Sequence, residues 1–254
     1  MIPRLLAIAI AAFTIGADCS GSTPKVPQPP NAYCGGAVAE PEPTLFESAI
    51  ESVSSALATI IGGEVSVDRR ATVKVISPTG YCSGTVVGKR TVLTAAHCEA
   101  EVMDIIVDGQ RVQASRVIPH PNYNGTFPLN DLMLLWFEQD LPGPIVDTVY
   151  TSDLSESCTQ LIAQGYGKSE FNEPATLRES TYTVPSADAM VLRTKQASWG
   201  GICFGDSGGP LYAVVDGELQ IAGVTSTTYT QDCLVGGDHV NLRFYRDWLA
   251  ANVR

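Results

Sequence analysis

The pattern of apolar and polar positions divides this chain near residue 60. Beyond that point, short apolar stretches rich in β-branched residues alternate with turn residues, a pattern typical of antiparallel strands. Three of the predicted strands cover residues 71–76, 84–87 and 91–94. Within residues 105–112 and 212–221 an Asp-Gly pair separates two alternating stretches. This spacing predicts one tight hairpin in each half of the region.

The end of the chain follows a helical period instead. Leu242, Tyr245, Trp248 and Leu249 recur at helical spacing, which predicts a helix over residues 241–253 with an apolar stripe packed onto the second lobe. The strands by themselves favour a sandwich or a barrel. The pattern therefore predicts an all-β fold with one C-terminal helix.

The residues before this region have a different character. An apolar run from Leu5 to Ile15 has the layout of a secretory signal peptide over residues 1–17 and is too short to span a bilayer. Residues 18–43 are rich in proline, glycine and serine, as linkers are. Apolar residues four apart then predict a short amphipathic helix from Thr44 to Thr59. We expect a secreted protein, with lipidation of Cys19 as the less favoured alternative.

Composition narrows the classes of partner. The chain has 254 residues, enough to bury a sizeable core, and 27 acidic against 16 basic residues give a net charge of −11. A nucleic-acid-binding protein normally shows the opposite sign on at least one face, so we expect no nucleic-acid partner. The acidity is interpreted as a solvated surface that keeps a secreted protein soluble.

The segment most suited to chemistry is Cys-Phe-Gly-Asp-Ser-Gly-Gly-Pro at residues 203–210. Its glycines permit backbone conformations closed to other residues, so the N–H groups of Gly205 and Ser207 could point at one spot. A serine nucleophile needs such donors for the oxyanion, and it also needs a base. Ser207 is therefore a candidate nucleophile.

A candidate base and a candidate orienting carboxylate lie upstream. His97, one of three histidines, ends the short run Thr-Ala-Ala-His-Cys, and Asp131 opens the apolar stretch Asp-Leu-Met-Leu-Leu-Trp. His97 could alternatively be a core histidine or a metal ligand. The sequence has no Cys-x-x-Cys and no His-x-x-x-His, so the metal interpretation is the weaker one.

The order His97, Asp131, Ser207, with the local sequences Ala-Ala-His-Cys and Gly-Asp-Ser-Gly-Gly-Pro, resembles the chymotrypsin/trypsin family of serine endopeptidases. The resemblance extends from about Ile60 to the C-terminus. It implies two six-stranded antiparallel barrels with the active site between them. It also implies hydrolysis of protein or peptide substrates by a Ser-His-Asp mechanism in a monomer, with an oxyanion hole at Gly205 and Ser207. No cofactor or metal is expected.

The resemblance also implies a substrate pocket. Gly201 stands where enzymes that cut after arginine or lysine carry an aspartate, and Ser226, Thr228 and Gly237 are the implied wall positions. Thr228 should narrow the slot, so we expect cleavage after small to medium uncharged residues. A one-residue shift in the alignment would instead put the carboxylate of Asp238 on the wall and restore some affinity for basic side chains.

Residues 60–63, Ile-Ile-Gly-Gly, resemble the mature N-terminus of the family. We therefore expect residues 18–59 to be a propeptide and linker, residues 60–254 to be the protease domain, and a new α-amine at Ile60 to pair with Asp206. Relatives activated by tryptic enzymes carry a basic residue before this cut, whereas Thr59 stands here. This unusual activation sequence keeps open an alternative, a catalytically silent homologue that acts as a protein-binding module.

The seven cysteines cannot all pair within the chain. The resemblance implies the bridges Cys82–Cys98 and Cys203–Cys233. Cys158 lacks its usual partner near Ala213, so we expect a Cys34–Cys158 bridge that tethers the propeptide. The alternative is a local Cys19–Cys34 bridge that leaves Cys158 reduced. Connectivity does not follow from sequence alone, and both alternatives stay open.

Overall fold

In a computed structural model, the protein is described over residues 60–61, 63–154, 161–168, 176–188, 190–196 and 201–254. The predicted signal peptide, linker and amphipathic helix lie outside these residues, as do Cys19, Cys34 and Cys158. Within the described ranges, no helix has both the length and the apolar character needed to cross a membrane.

The structure consists almost entirely of antiparallel strands. The strands of the first barrel are β2 (Thr72–Ser77), β3 (Gly80–Gly88), β4 (Thr91–Thr94), β5 (Asp104–Val107), β6 (Gln110–Gln113), β7 (Arg116–Pro119) and β8 (Met133–Trp136). Those of the second sheet are β1 (Glu64–Val65), β9 (Leu161–Gly165), β10 (Arg178–Ala187), β11 (Val191–Gln196), β12 (Pro210–Val215), β13 (Glu218–Thr228) and β14 (Gly237–Asn241).

The first barrel closes through one bent strand. Its strand order is β6-β5-β2-β3-β4-β8-β7, and only two residues separate β6 from β7. Ala114 donates its N–H to the carbonyl of Met103 beside β5, and Ser115 donates to the carbonyl of Trp136 in β8. Because β6 and β7 bond to opposite edges of the sheet, together they act as the sixth strand of a barrel.

The second barrel closes directly. Its order is β1-β10-β11-β14-β13-β12-β9, and β10 also pairs with β9. Six strands therefore form a ring, and the short β1 adds to its edge. The predicted all-β fold of two six-stranded antiparallel barrels is confirmed.

Both predicted hairpins are confirmed. Strand β5 pairs with β6 around Asp108 and Gly109, and β12 pairs with β13 around Asp216 and Gly217. All four turn residues have positive φ, between 48° and 87°. Such two-residue turns match the twist of the flanking strands, which is why an Asp-Gly pair between alternating stretches is so informative.

The C-terminal helix is confirmed, but it begins later than the predicted start at residue 241. Helix α1 spans Arg246–Asn252, and a 3₁₀ turn at Leu242–Phe244 precedes it. Residues 237–241 belong instead to β14, which pairs on both sides with β11 and β13. These two ladders of backbone hydrogen bonds outweigh the helical spacing of the side chains.

The predicted packing onto the second lobe holds for the start of the apolar stripe, where Tyr245 contacts Met190 beside β11. The helix itself also contacts the first barrel. The ring of Trp248 meets His120 edge-on, with centroids 4.9 Å apart. The indole N–H of Trp136 donates to the carbonyl of Asn252 at 2.8 Å, and Arg254 N–H donates to Thr91 Oγ1 at 2.8 Å. The C-terminal segment thus runs from the second barrel across to the first.

Candidate active site

His97 lies in a 3₁₀ turn, Ala96–Cys98, directly after β4. The disulfide Cys82–Cys98 ties this turn to β3. Ala96 and Cys98 are buried on either side, whereas the His97 side chain keeps 21% of its surface exposed. The turn is therefore anchored by its neighbours, and the imidazole remains accessible.

Asp131 is completely buried and holds this imidazole in place. Its Oδ2 lies 2.7 Å from Nδ1 of His97, and its Oδ1 accepts the His97 backbone N–H at 2.8 Å. The hydroxyl of Ser226, in the second barrel, donates to Oδ2 at 2.5 Å. A carboxylate with this environment fixes the imidazole tautomer, so that Nδ1 carries the proton and Nε2 is left free to act as a base.

Ser207 lies in the loop before β12, on the second barrel. Gly208 has φ +81°, and a β-carbon there would lie 2.1 Å from Oγ1 of Thr94. Only glycine fits this approach of the loop to β4. The Ser207 carbonyl accepts the N–H of Ser83 at 2.8 Å, which fixes the loop against the first barrel.

Two backbone donors beside the serine remain available. Gly205 has φ +100°. Among the described residues, neither Gly205 N–H nor Ser207 N–H donates a hydrogen bond to a protein acceptor. Unpaired donors of this kind could stabilise an oxyanion formed on a substrate carbonyl.

His97 and Ser207 line the same cavity, of about 410 Å³. In the described part of the chain no direct hydrogen bond joins the two side chains; such contacts are often loose before substrate binds. The remaining lining residues are Phe127, Ile202, Cys203, Phe204, Thr225, Ser226, Thr227, Thr228, Tyr229, Thr230 and Gln231. The three candidate triad residues therefore meet at the junction of the barrels.

A metal centre is a poor fit to His97. Its ring nitrogens and the sulfurs of Cys82 and Cys98 lie within 4.8 Å of one another. Both sulfurs, however, are joined in a disulfide, and a metal ligand must be a thiolate. The chemistry of this donor set favours a base over a ligand.

Of the implied pocket residues, Ser226 and Thr228 line the cavity and Gly201 and Gly237 do not. A β-carbon on Gly201 would lie 2.7 Å from the carbonyl of Cys233, and one on Gly237 would lie 2.1 Å from the carbonyl of Thr227. These glycines therefore let the pocket strands pack closely. Gly201 carries no side chain that could supply a counter-charge.

The Cys203–Cys233 disulfide joins the two sides of this region. The carboxylate of Asp238 accepts the Tyr229 hydroxyl at 2.6 Å. The sequence analysis left open a position on the cavity wall for Asp238. In the structure Tyr229 lines the cavity and Asp238 is not among the lining residues.

Asp206 is the other buried carboxylate near the nucleophile. Its oxygens accept the N–H groups of Gly167 and Cys203, each at 2.8 Å. Burial raises its pKa from 3.8 to about 7, against the opposing effect of these two hydrogen bonds. The side chain of Ile60 is also fully buried, and the carbonyl of Ile61 accepts Gly201 N–H at 2.9 Å.

We expect Asp206 to make the unprocessed chain less stable as pH rises. The unfolded carboxyl loses its proton near pH 4 and the folded one near pH 7, so between these values the folded state binds more protons and the free energy of unfolding falls with pH. Urea unfolding from pH 4 to 8, followed by fluorescence in a Ser207→Ala background, measures this fall. Asp206→Asn should flatten it, whereas Asp147→Asn, at the surface, should not. Equal slopes in both variants would contradict the assignment.

Sequence reasoning missed a buried polar group behind the cavity. His239 lies in β14, fully buried, between the hydroxyls of Thr194 and Thr225. The signal in the sequence is a histidine in the short stretch Gly-Asp-His-Val-Asn. Its partners come from two other strands, so spacing along the chain does not reveal them.

Comparisons with a family model and with individual proteins indicate the same family. The model of the family described as Trypsin matches residues 60–249. Anionic trypsin of Canis lupus familiaris is 28% identical over 201 residues, which are 67% of this chain and 79% of that protein. Human kallikrein-14 is 28% identical over 204 residues, 68% of this chain and 74% of that protein.

Solved structures share the fold. Neuropsin, a serine protease expressed in the limbic system of mouse brain, superposes with a TM-score of 0.63 at 21% identity, over 75% of this chain and 98% of that one. A structure described as GrC gives 0.66 at 22% identity with the same coverage. The chain belongs to the trypsin family of serine proteases. It is a serine-type endopeptidase, a hydrolase.

Proposed function

We propose that the protein is a secreted endopeptidase that cleaves peptide bonds through an acyl-enzyme formed on Ser207. The observation that carries this proposal is the buried Asp131, which holds His97 by two hydrogen bonds on the wall of a cavity that also contains Ser207. A buried carboxylate, an accessible imidazole and a serine in one cavity are the three groups that acyl transfer requires.

Each group has one role in this mechanism. Ser207 Oγ attacks the scissile carbonyl while His97 Nε2 takes its proton, and His97 later returns the proton to the leaving amine. Asp131 orients the ring through Nδ1 and stabilises its charged form. The unpaired N–H groups of Gly205 and Ser207 bind the oxyanion. Water then hydrolyses the acyl-enzyme by the same proton transfers.

The cavity beside Ser207 takes the side chain that precedes the cut. Thr228 fills space on its wall, and the glycine at residue 201 supplies no carboxylate. A buried arginine or lysine would lack a counter-charge there. Small to medium uncharged side chains are therefore the preferred substrates of the proposed enzyme.

Export and maturation complete the proposal. Residues 1–17 act as the signal peptide, residues 18–59 are removed or tethered as a propeptide, and cleavage before Ile60 produces the active monomer. Two disulfides within the described residues suit an oxidising compartment. The buried Asp206 supports the last step. Its carboxylate accepts from two neutral backbone N–H groups, and a new α-amine at Ile60 would supply a positive charge.

A fluorophosphonate probe tests the proposal against a silent homologue. The probe reacts covalently with an activated serine, so protein cleaved before Ile60 should be labelled at Ser207. Ser207→Ala should abolish labelling, and Ser115→Ala, a surface serine outside the cavity, should leave it unchanged. Cleaved protein that folds but takes no label would support the binding-module alternative.

A further inference from the structure

Six residues with a hydroxyl group line one side of the candidate specificity pocket, and five of these hydroxyls, all but that of Thr227, bond within the protein: Thr225, Ser226, Thr228, Tyr229 and Thr230. A hydroxyl has a single proton to donate and two lone pairs that accept. The direction in which each proton points therefore decides what the wall offers to a substrate side chain.

Three of these protons go to carboxylates. Ser226 donates to Asp131 at 2.5 Å, Tyr229 donates to Asp238 at 2.6 Å, and Thr230 donates to Asp232 at 2.5 Å. An ionised carboxylate only accepts, so each hydroxyl must be the donor.

Thr228 commits its proton to the backbone. Its hydroxyl lies 3.2 Å from the carbonyl of Thr230 and 3.4 Å from that of Gly236. Carbonyl oxygens also only accept. This hydroxyl too is left with lone pairs alone for the cavity.

His239 determines the direction of the hydrogen bond that the Thr225 hydroxyl makes. The Thr194 hydroxyl donates to the carbonyl of Gly237 at 3.0 Å, so its contact with His239 Nε2, at 2.8 Å, has the histidine as donor. A neutral imidazole with a proton on Nε2 accepts at Nδ1. The Thr225 hydroxyl, 3.2 Å from Nδ1, is therefore the donor in that bond.

The burial of His239 keeps its imidazole neutral. It is completely buried, and burial lowers its pKa to about 3. The two threonines that contact it are also almost fully buried, at 1% and 3% exposure. The direction of this chain of hydrogen bonds is thus held throughout the neutral pH range.

We infer that the pocket selects an uncharged side chain that donates a hydrogen bond, as serine, threonine, asparagine and glutamine do, and that His239 is the positioning residue that sets this preference. The inference rests on the proposed function and names its substrate class. These five hydroxyls have no proton left to donate to a substrate. A donor on the substrate is therefore matched, an aliphatic side chain leaves the wall unsatisfied, and a carboxylate finds side-chain donors on this wall only at Thr227 and Gln231.

Three peptides that differ only before the cut test the wild-type preference, with asparagine, leucine or aspartate there. These side chains have nearly the same shape. We expect kcat/KM for asparagine to exceed that for leucine by about tenfold, and to exceed that for aspartate by at least about 100-fold. Leucine equal to or better than asparagine would overturn the inference, as would a preference for aspartate, arginine or lysine.

Two variants test the source of the preference. Thr225→Val keeps the shape and removes the hydroxyl whose direction His239 sets, so the asparagine-to-leucine ratio should fall by several-fold. His239→Phe removes the acceptor for the Thr225 proton while Thr194 still donates to Gly237. The freed proton can then point into the cavity, and the asparagine-to-aspartate ratio should fall by about tenfold.

Thr148→Val, an exposed threonine far from the cavity, is the matched control and should leave both ratios unchanged. If His239→Phe fails to fold, Thr225→Val alone still decides, because an unchanged ratio in that variant contradicts the inference. Fluorophosphonate labelling and cleavage of a peptide with alanine before the cut report the proposed activity separately. An active enzyme without the expected ratios would refute the inference and leave the activity standing.

Discussion

Replacing Ser207 or His97 with alanine should each lower kcat for a peptide substrate by about 10⁵-fold or more. The serine needs the imidazole to remove its proton, and the imidazole has no nucleophile to serve without the serine. The double variant should therefore be little worse than either single variant, since residues that act as one unit give non-additive losses. Steady-state rates of the three variants, all cleaved before Ile60, measure this.

The control for this experiment is Ser115→Ala, whose hydroxyl bonds to the Trp136 carbonyl away from the cavity. It should retain wild-type kcat. Asp131→Ala should lose somewhat less than the other two, because it acts only through the ring. A Ser207→Ala variant that keeps wild-type turnover, or a double variant whose loss is the product of the single losses, would show that the triad assignment is wrong.

Cleavage before Ile60 should switch the enzyme on, and a precursor that cannot be cut should have activity lower by on the order of 10²–10³-fold, the effect of losing an oxyanion donor. The physical reason is the buried Asp206 beside the nucleophile, which accepts from the N–H of Cys203 and of Gly167. Pairing with a new α-amine would hold the loop that carries Gly205 and Ser207 in one conformation.

In the test, residues 56–59 are replaced with the recognition site of a specific protease. Adding that protease then makes the cut before Ile60. N-terminal sequencing of the active material should begin at Ile60. A variant with one glycine inserted before Ile60 keeps the amine but displaces it by about 3.5 Å, and it should stay inactive after the cut. Asp206→Asn should be inactive in the cut form. Activity with the inserted glycine, or a different starting residue, would refute this route.

The sequence correctly predicts the features that depend on residues close together in the chain. The Asp-Gly hairpins and the glycines around Ser207 depend on backbone conformations that few other residues adopt. The all-β class followed from the repeated short strands. The family match and the fold comparisons agree with the resemblance drawn from His97, Asp131 and Ser207.

The errors arose where partners are distant in the chain. Asn241 was assigned to a helix because nearby apolar residues have helical spacing, but its backbone pairs with β13. The packing of Trp248 against His120 joins residues more than a hundred positions apart. The role of His239 is similar, since its direction of hydrogen bonding depends on Thr194 and Thr225 from two other strands.

The path of the C-terminal segment has a consequence for how the molecule comes apart. Residues that follow the second barrel are fixed to the first, through Asn252 and Arg254. Neither barrel can then lose its structure without disturbing this segment, so we expect the two to unfold in one cooperative transition despite their separate rings of strands. Because the base and the nucleophile lie on different barrels, the candidate active site would then be assembled and lost in a single step.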